Sequence, residues 1–302
     1  MKNINTTDIL KIKQLLEKIF GESDYLNLKR LGGLTNHTYL VEMRNGVNYV
    51  VRLPGAGTEE MINRSHERIS TELACALKID AHMLYFGPSG EKVTAYIDGA
   101  ITMCPDSFLD EAVLRKAASV LRVLHTSGAD TKVPFDVFDM ASSYEKIIRD
   151  NSVAPFEGYE SVKAQIMTVR NCVKRVASVD PVPCHNDPLC ENWVMDRSGK
   201  LFLIDWEYAG MNDGMWDLAD LSIEASMSEA QETVLLRSYL QRDPEKEEYL
   251  RFYANKLYLD FLWALWGKAR VPFDGEAMEE YGLARYVRLK DNLAALMKWF
   301  TD

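Results

Sequence analysis

The chain has 302 residues, 47% of them hydrophobic and 26% charged, with 45 acidic against 35 basic side chains and a formal charge of −10. At about 150 residues per domain this is a globular chain of roughly two domains or lobes, with enough apolar mass for a core. The acidic total argues against a chain that wraps nucleic acid or an anionic membrane, since those affinities come from massed Lys and Arg.

The first twenty residues interleave Lys with Ile and Leu at helical spacing, which is not the uninterrupted apolar stretch of a signal peptide. No run approaches the roughly 18 apolar residues of a membrane span, so no membrane insertion is expected. Five cysteines, scattered and odd in number, read as reduced thiols and a cytoplasmic location.

Ile9, Leu10, Ile12, Leu15, Leu16, Ile19 and Phe20 form a helical stripe that Gly21 should stop. Three strand-like runs follow, at residues 25–31, 38–43 and 47–53. The second pair is joined across Asn45-Gly46, a strong hairpin signal. Residues 59–78 return to helical texture, and 93–97 read as one more strand. Beyond Asp98-Gly99 helices dominate: a stripe through Val113, Leu114, Ala117, Val120, Leu121 and Leu124, another helix at 159–176, and further helices from 215 onward. The expectation is an α+β fold of two lobes. A small β-rich lobe at 1–97 binds nucleotide, and a larger α-helical lobe at 98–302 carries catalysis and acceptor binding, with the active site in a cleft.

The chemistry concentrates between Pro183 and Asp205. Residues 193–195 and 201–204 are short strands around a turn at Asp196-Arg-Ser-Gly-Lys200. Folded as a hairpin, this segment brings Asn192 close to Asp205, because paired strands lie about 4.8 Å apart. An amide oxygen and a carboxylate there suit Mg²⁺, which takes oxygen ligands and completes its shell with water and phosphate. His185-x-Asp187-x-x-x-x-Asn192 has the spacing of a kinase catalytic loop, whose Asp receives the acceptor hydroxyl and whose Asn holds metal. A zinc site on Cys184, His185 and Cys190 competes but lacks a fourth ligand at zinc spacing; buried free thiols fit those cysteines better.

The same segment resembles the choline/ethanolamine kinase family, within the aminoglycoside-phosphotransferase and protein-kinase-like fold. The resemblance rests on Cys184-His-Asn-Asp187, Asn192 and the run from Ile204-Asp-Trp-Glu-Tyr208 through Trp216-Asp217-Leu-Ala. It extends upstream to Leu31-Gly-Gly-Leu-Thr-Asn36 and Tyr49-Val-Val-Arg52, and downstream to Phe261-Leu-Trp-Ala-Leu-Trp266 and Tyr281-Gly-Leu-Ala-Arg-Tyr286.

It implies transfer of the γ-phosphoryl group of ATP, with Mg²⁺, to a small alcohol, choline. Asp187, His185 and Asn192 then form the catalytic set, and Asn192 and Asp205 hold metal, with Glu207 assisting. Gly32, Gly33, Thr35 and Asn36 cover the phosphates. Arg52 binds phosphate and pairs with a helix carboxylate, Glu67 in preference to Glu72. Adenine rests along 93–97, adding Tyr96 and Ile97 to the nucleotide positions.

Trp263 and Trp266, three apart on a helical run, share a face. With Tyr208, Tyr281 and Glu224, placed by register with the family, they make an aromatic cage for a quaternary ammonium, against core packing as the plainer reading. Trp206, Trp216 and Trp299 read as core. Leu189 departs from the Gln common in eukaryotic relatives. The competing functions are a kinase of ethanolamine or an aminoglycoside, and a non-catalytic nucleotide-binding protein on the same fold.

Overall fold

A computed structural model describes residues 4–32, 36–55 and 62–299. The chain divides into two compact units, 1–104 with 190–209, and 105–189 with 210–302. The segment 190–209 clusters with the first unit although it lies between the two stretches of the second.

The first unit opens with helix α1, Thr6–Phe20. The Asn5 side chain accepts the Thr7 N–H at 3.0 Å, and Gly21 ends the helix in the left-handed region at φ 71°. Of the expected stripe, Ile12 and Leu16 are fully buried, whereas Leu10 is 57% exposed. The buried pair packs with Tyr39, Val41, Met43, Val51, Leu53 and Val93.

Those residues lie on β2 His37–Met43, β3 Asn48–Leu53 and β5 Lys92–Ala95, which β1 Tyr25–Arg30 and β4 Met83–Phe86 flank. The five form an antiparallel sheet in the order β1-β2-β3-β5-β4. The β2–β3 hairpin turns at Asn45-Gly46, with Gly46 at φ 85°, where a side chain would strain. Strand β5 ends earlier than 97, since its ladder with β3 closes at Tyr49↔Ala95.

Helix α2, Arg64–Ala76, is capped by Asn63, whose side chain accepts from the Ser65 and His66 N–H groups. It is shorter than the helical texture at 59–78, of which 59–61 lie outside the described residues. A second sheet orders β6 Ile101–Thr102, β8 Trp193–Met195 and β9 Leu201–Leu203 as β6-β8-β9. The β8–β9 hairpin pairs Trp193 with Leu203 and Met195 with Leu201, and Asp196 Oδ1 accepts the Ser198 and Lys200 N–H groups across its turn.

The second unit is helical apart from β7 Val182–Cys184 paired with β10 Gly210–Asn212. Its helices are α3 Glu111–His125, α4 Val137–Asp150, α5 Tyr159–Val176, α6 Met215–Glu224, α7 Glu229–Leu240, α8 Lys246–Asp274 and α9 Glu276–Trp299. Helix α8 is buried on most sides from Phe252 to Arg270 and packs against α4, α5, α6 and α9, so it is the axis of the unit.

Glycines at the crossing of α8 and α9 set its closeness. A Cβ on Gly267 would lie 2.9 Å from the Gly282 backbone, and one on Gly282 would lie 2.9 Å from the Ala264 carbonyl. Two bare backbones therefore bring Trp266 and Tyr281 together. Trp206 and Trp216 are core, each 1% exposed; the Trp299 side chain lies outside the described part. Cys184 and Cys190 are buried free thiols.

Candidate active site

In the first unit the sheet and the β8–β9 hairpin assemble a charged constellation. Arg52 on β3 is 4% exposed, which excludes a solvent charge at a strand edge. Its Nη1 lies 2.5 Å from Glu67 Oε1 and 3.3 Å from Asp205 Oδ1, and its Nη2 donates to the Gly90 carbonyl at 2.8 Å. Glu67 is thus the partner; Glu72 pairs with the exposed Arg68 instead.

Burial alone would raise the Glu67 carboxyl, but Arg52 and Lys92 more than reverse this and hold it below the usual carboxylate range. Arg64, which the sequence reading passed over, donates to Glu67 Oε2 at 2.7 Å and to Glu207 Oε1 at 2.5 Å. Asn36 Nδ2 also donates to Glu207, at 2.9 Å.

Asp205 follows β9 at φ 70°, a left-handed conformation that a non-glycine residue holds only where its surroundings impose it. The Ile204 N–H donates to the Asn192 carbonyl at 2.9 Å, so the hairpin closes with Asn192 beside the residue preceding Asp205. Oxygens of Glu67, Asp205 and Glu207 all lie within 4.8 Å of one another. Burial and the neighbouring Asp205 carboxylate push Glu207 above its ordinary range. Arg52, Arg64 and Lys92 face these three carboxylates, whose hard oxygen donors are of the kind Mg²⁺ takes.

Gly32 is exposed beyond β1; Gly33 and Thr35 lie outside the described residues. Tyr96 and Ile97 follow β5 rather than belonging to it, with the Tyr96 N–H donated to the Asn48 carbonyl at 3.1 Å. Tyr208 is half-buried on the turn after β9.

In the second unit the turn 185–187 hangs from Asp217 on α6. Asp217 Oδ2 accepts the His185 N–H and Oδ1 the Asn186 N–H, each at 2.8 Å. His125 Nε2 lies 3.0 Å from the same carboxylate, and its Nδ1 lies 2.9 Å from the Tyr239 hydroxyl. Asn186 sits at φ 66°, and its carbonyl accepts Trp216 Nε1–H at 3.0 Å. The result is a rigid bend that presents the half-buried Asp187. His185 is fully buried, and its Nδ1 lies 3.3 Å from the Asp187 N; its ring shapes the bend from inside.

Trp263, Trp266 and Tyr281 form a row of edge-on rings, with centroids 6.0 Å apart for the two tryptophans and 5.7 Å for Trp266 and Tyr281. Arg285, one turn beyond Tyr281 on α9, pairs with Glu224 and lies 5.1 Å over the Tyr281 ring. The carboxylate that family register selects is therefore already engaged by a guanidinium sixty-one residues away in sequence.

An antiparallel-sheet unit with a buried arginine–glutamate pair, and a helical unit, are the parts of the protein-kinase-like α+β class, and the matches that follow make the chain a phosphotransferase acting on an alcohol group. The chain belongs to the choline/ethanolamine kinase family: the model of that family matches residues 29–271. Its sequence is 28% identical to the LicA protein of Haemophilus influenzae over 275 residues, which is 84% of this chain and 76% of that protein.

Its structure is similar to that of choline kinase LicA from Streptococcus pneumoniae, with a TM-score of 0.84 and 32% identity over 96% of this chain and 100% of that one. A structure of LicA in complex with AMP is similar as well, with a TM-score of 0.82 and 31% identity over 96% and 99% of the two chains. Among the described residues, no helix is long and apolar enough to cross a membrane.

Proposed function

We propose that the chain is a choline kinase, transferring the γ-phosphoryl group of MgATP to the choline hydroxyl to give phosphocholine and ADP. The observation that carries the choice of acceptor is the ring row Trp263–Trp266–Tyr281 at the α8–α9 crossing. A quaternary ammonium has no N–H to donate, so π faces are its natural partners, each contributing about 0.5–2 kcal/mol. Tyr208 and Glu224 complete the acceptor set assigned by family register.

Asp187 orients the acceptor hydroxyl and takes its proton as the new O–P bond forms and the bond to ADP breaks. His185 and Asn186 act on that step by fixing the bend. Arg52, held by Glu67, reaches phosphate oxygens as a bidentate donor. Gly32, Gly33, Thr35 and Asn36 cover the phosphates, and Tyr96 and Ile97 meet the adenine through main chain. Asn192, Asp205 and Glu207 would hold Mg²⁺, which supplies charge neutralisation between the transferred and leaving phosphates.

The test is a coupled ADP-release assay with MgATP on choline, ethanolamine and an aminoglycoside, using the wild type and Asp187→Ala. Turnover on choline above the other acceptors, abolished in Asp187→Ala with nucleotide binding retained, is the expected result. Preference for ethanolamine would keep the chemistry and remove the choline assignment. Turnover surviving in Asp187→Ala would overturn the role of that residue.

A further inference from the structure

The face of α6 that holds the catalytic bend carries two more acids. Asp217, Asp220 and Glu224 follow at intervals of three and four residues, so they lie on one stripe of the helix. Asp217 is engaged by the His185 and Asn186 N–H groups. Glu224 is engaged by Arg285. Asp260 on α8 is bound through both oxygens by Arg288, at 2.8 and 2.5 Å, and lies 3.5 Å from Arg285.

Asp220 differs from these three. It is 0% exposed, and neither of its oxygens has a hydrogen-bond partner among the described residues. The charged groups acting on it are Glu224, Asp187, Arg285 and Asp217, and burial with Glu224 and Asp187 pushes its carboxyl well above the usual range. Trp266 Nε1 and Arg285 Nη1 are also buried without a hydrogen-bond partner. A buried carboxyl with no donor is costly unless something outside the chain completes it. Here the missing partner is a positive charge: the nearby Arg285 guanidinium is engaged by Glu224, and Asp260 is balanced by Arg288.

We propose that Asp220 is the recognition residue for the positive charge of the acceptor, the role that family register gives to Glu224. A cation arriving against Trp266 and Tyr281 meets a Glu224 already neutralised by Arg285 and an Asp220 with both oxygens unengaged. The inference rests on the reading of this site as the acceptor pocket of a kinase for a small cationic alcohol.

The experiment compares choline with its uncharged isostere 3,3-dimethylbutan-1-ol, which keeps the shape and the hydroxyl and replaces N⁺ by carbon. For Asp220→Asn, kcat/KM for choline should fall about tenfold or more, as for a unit charge removed from a desolvated pair. The values for the isostere and the KM for ATP should stay near those of the wild type. The preference for choline over the isostere therefore collapses, and Glu224→Gln narrows it less than Asp220→Asn does. A merely structural Asp220 would depress both alcohols together, and an unchanged ratio overturns the proposal.

Should Asp220→Asn fail to fold, calorimetry of choline binding to the wild type in buffers of differing ionisation enthalpy decides. The arriving cation favours the ionised carboxyl, so protons are released on binding; no release, or uptake, overturns the proposal. A wild type that phosphorylates neither choline nor ethanolamine would bring down the reading of the site and this inference with it. A wild type active on choline whose preference survives Asp220→Asn would bring down the inference alone.

Discussion

Asp217 anchors the bend that presents Asp187, and on the proposed role of Asp187 the variant Asp217→Asn should disable turnover while leaving the nucleotide bound. The carboxylate accepts two backbone N–H groups at 2.8 Å, one on each oxygen, and is 0% exposed. Asparagine offers one acceptor oxygen, and its amide hydrogens face the N–H that loses its partner. A hydrogen bond to a charged group contributes about 1.5–3 kcal/mol, and a buried unsatisfied N–H costs about 1–3 kcal/mol.

The variant should therefore lose about 2.5–6 kcal/mol, a large share of the roughly 5–15 kcal/mol that keeps a typical protein folded. Asp187 follows immediately after the two anchored residues, so a shift of about 1 Å in the bend should lower kcat on the order of a hundredfold. The nucleotide candidates Arg52, Glu67 and Asn36 belong to the other compact unit, so ADP affinity should hold. Urea unfolding gives the stability loss, steady-state ADP release gives kcat, and titration with ADP gives the affinity. A variant that unfolds more easily yet keeps the wild-type kcat would refute the claim that this anchor positions Asp187.

Two further perturbations probe the first unit. Arg52→Met leaves the fully buried Glu67 with Arg64 as its close partner, at 2.7 Å; breaking a buried pair costs about 3–5 kcal/mol, and Arg64 keeps this near the lower end. The KM for ATP should rise at least about tenfold with that for choline little changed, and equal rises in both would remove Arg52 from phosphate binding. Asp8, by contrast, tests the tie between α1 and β2. Burial alone would raise its carboxyl, but the Tyr39 hydroxyl at 2.6 Å and His37 Nδ1 at 2.7 Å reverse this, holding it below its ordinary 3.8. With the folded value depressed, its contribution is present above about pH 4 and lost as pH falls through the folded value. The stability difference between wild type and Asp8→Asn should thus shrink below about pH 4; an unchanged difference between pH 5 and pH 3 would contradict it.

What the sequence made legible was chiefly local. Asn45-Gly46 specifies its turn through backbone conformation, and Asp196 closes the β8–β9 turn with its own side chain, so both hairpins can be read without knowing what they pack against. Strands β4 and β6, four and two residues long, exist only because β5 and β8 offer them an edge, and nothing in so short a run announces that.

The site divides along the same line. Asp187 and Asn192 stand at a spacing one short segment contains, whereas Arg64 meets Glu207 across 143 positions and Arg285 meets Glu224 across 61. Counting along the family motif could find Glu224 but not the guanidinium that engages it. One readable signal remained. Helix α6 is otherwise built of Met215, Trp216, Leu218, Ala219, Leu221 and Ser222, all buried, and the half-buried Ile223. An apolar helix with acids at its third, sixth and tenth positions has no solvent face to put them on, so each acid must answer to a partner elsewhere. Asp217 answers to the catalytic bend and Glu224 to Arg285. Neither Asp220 oxygen accepts a hydrogen bond among the described residues, and that makes it the acid through which a ligand's charge should be felt.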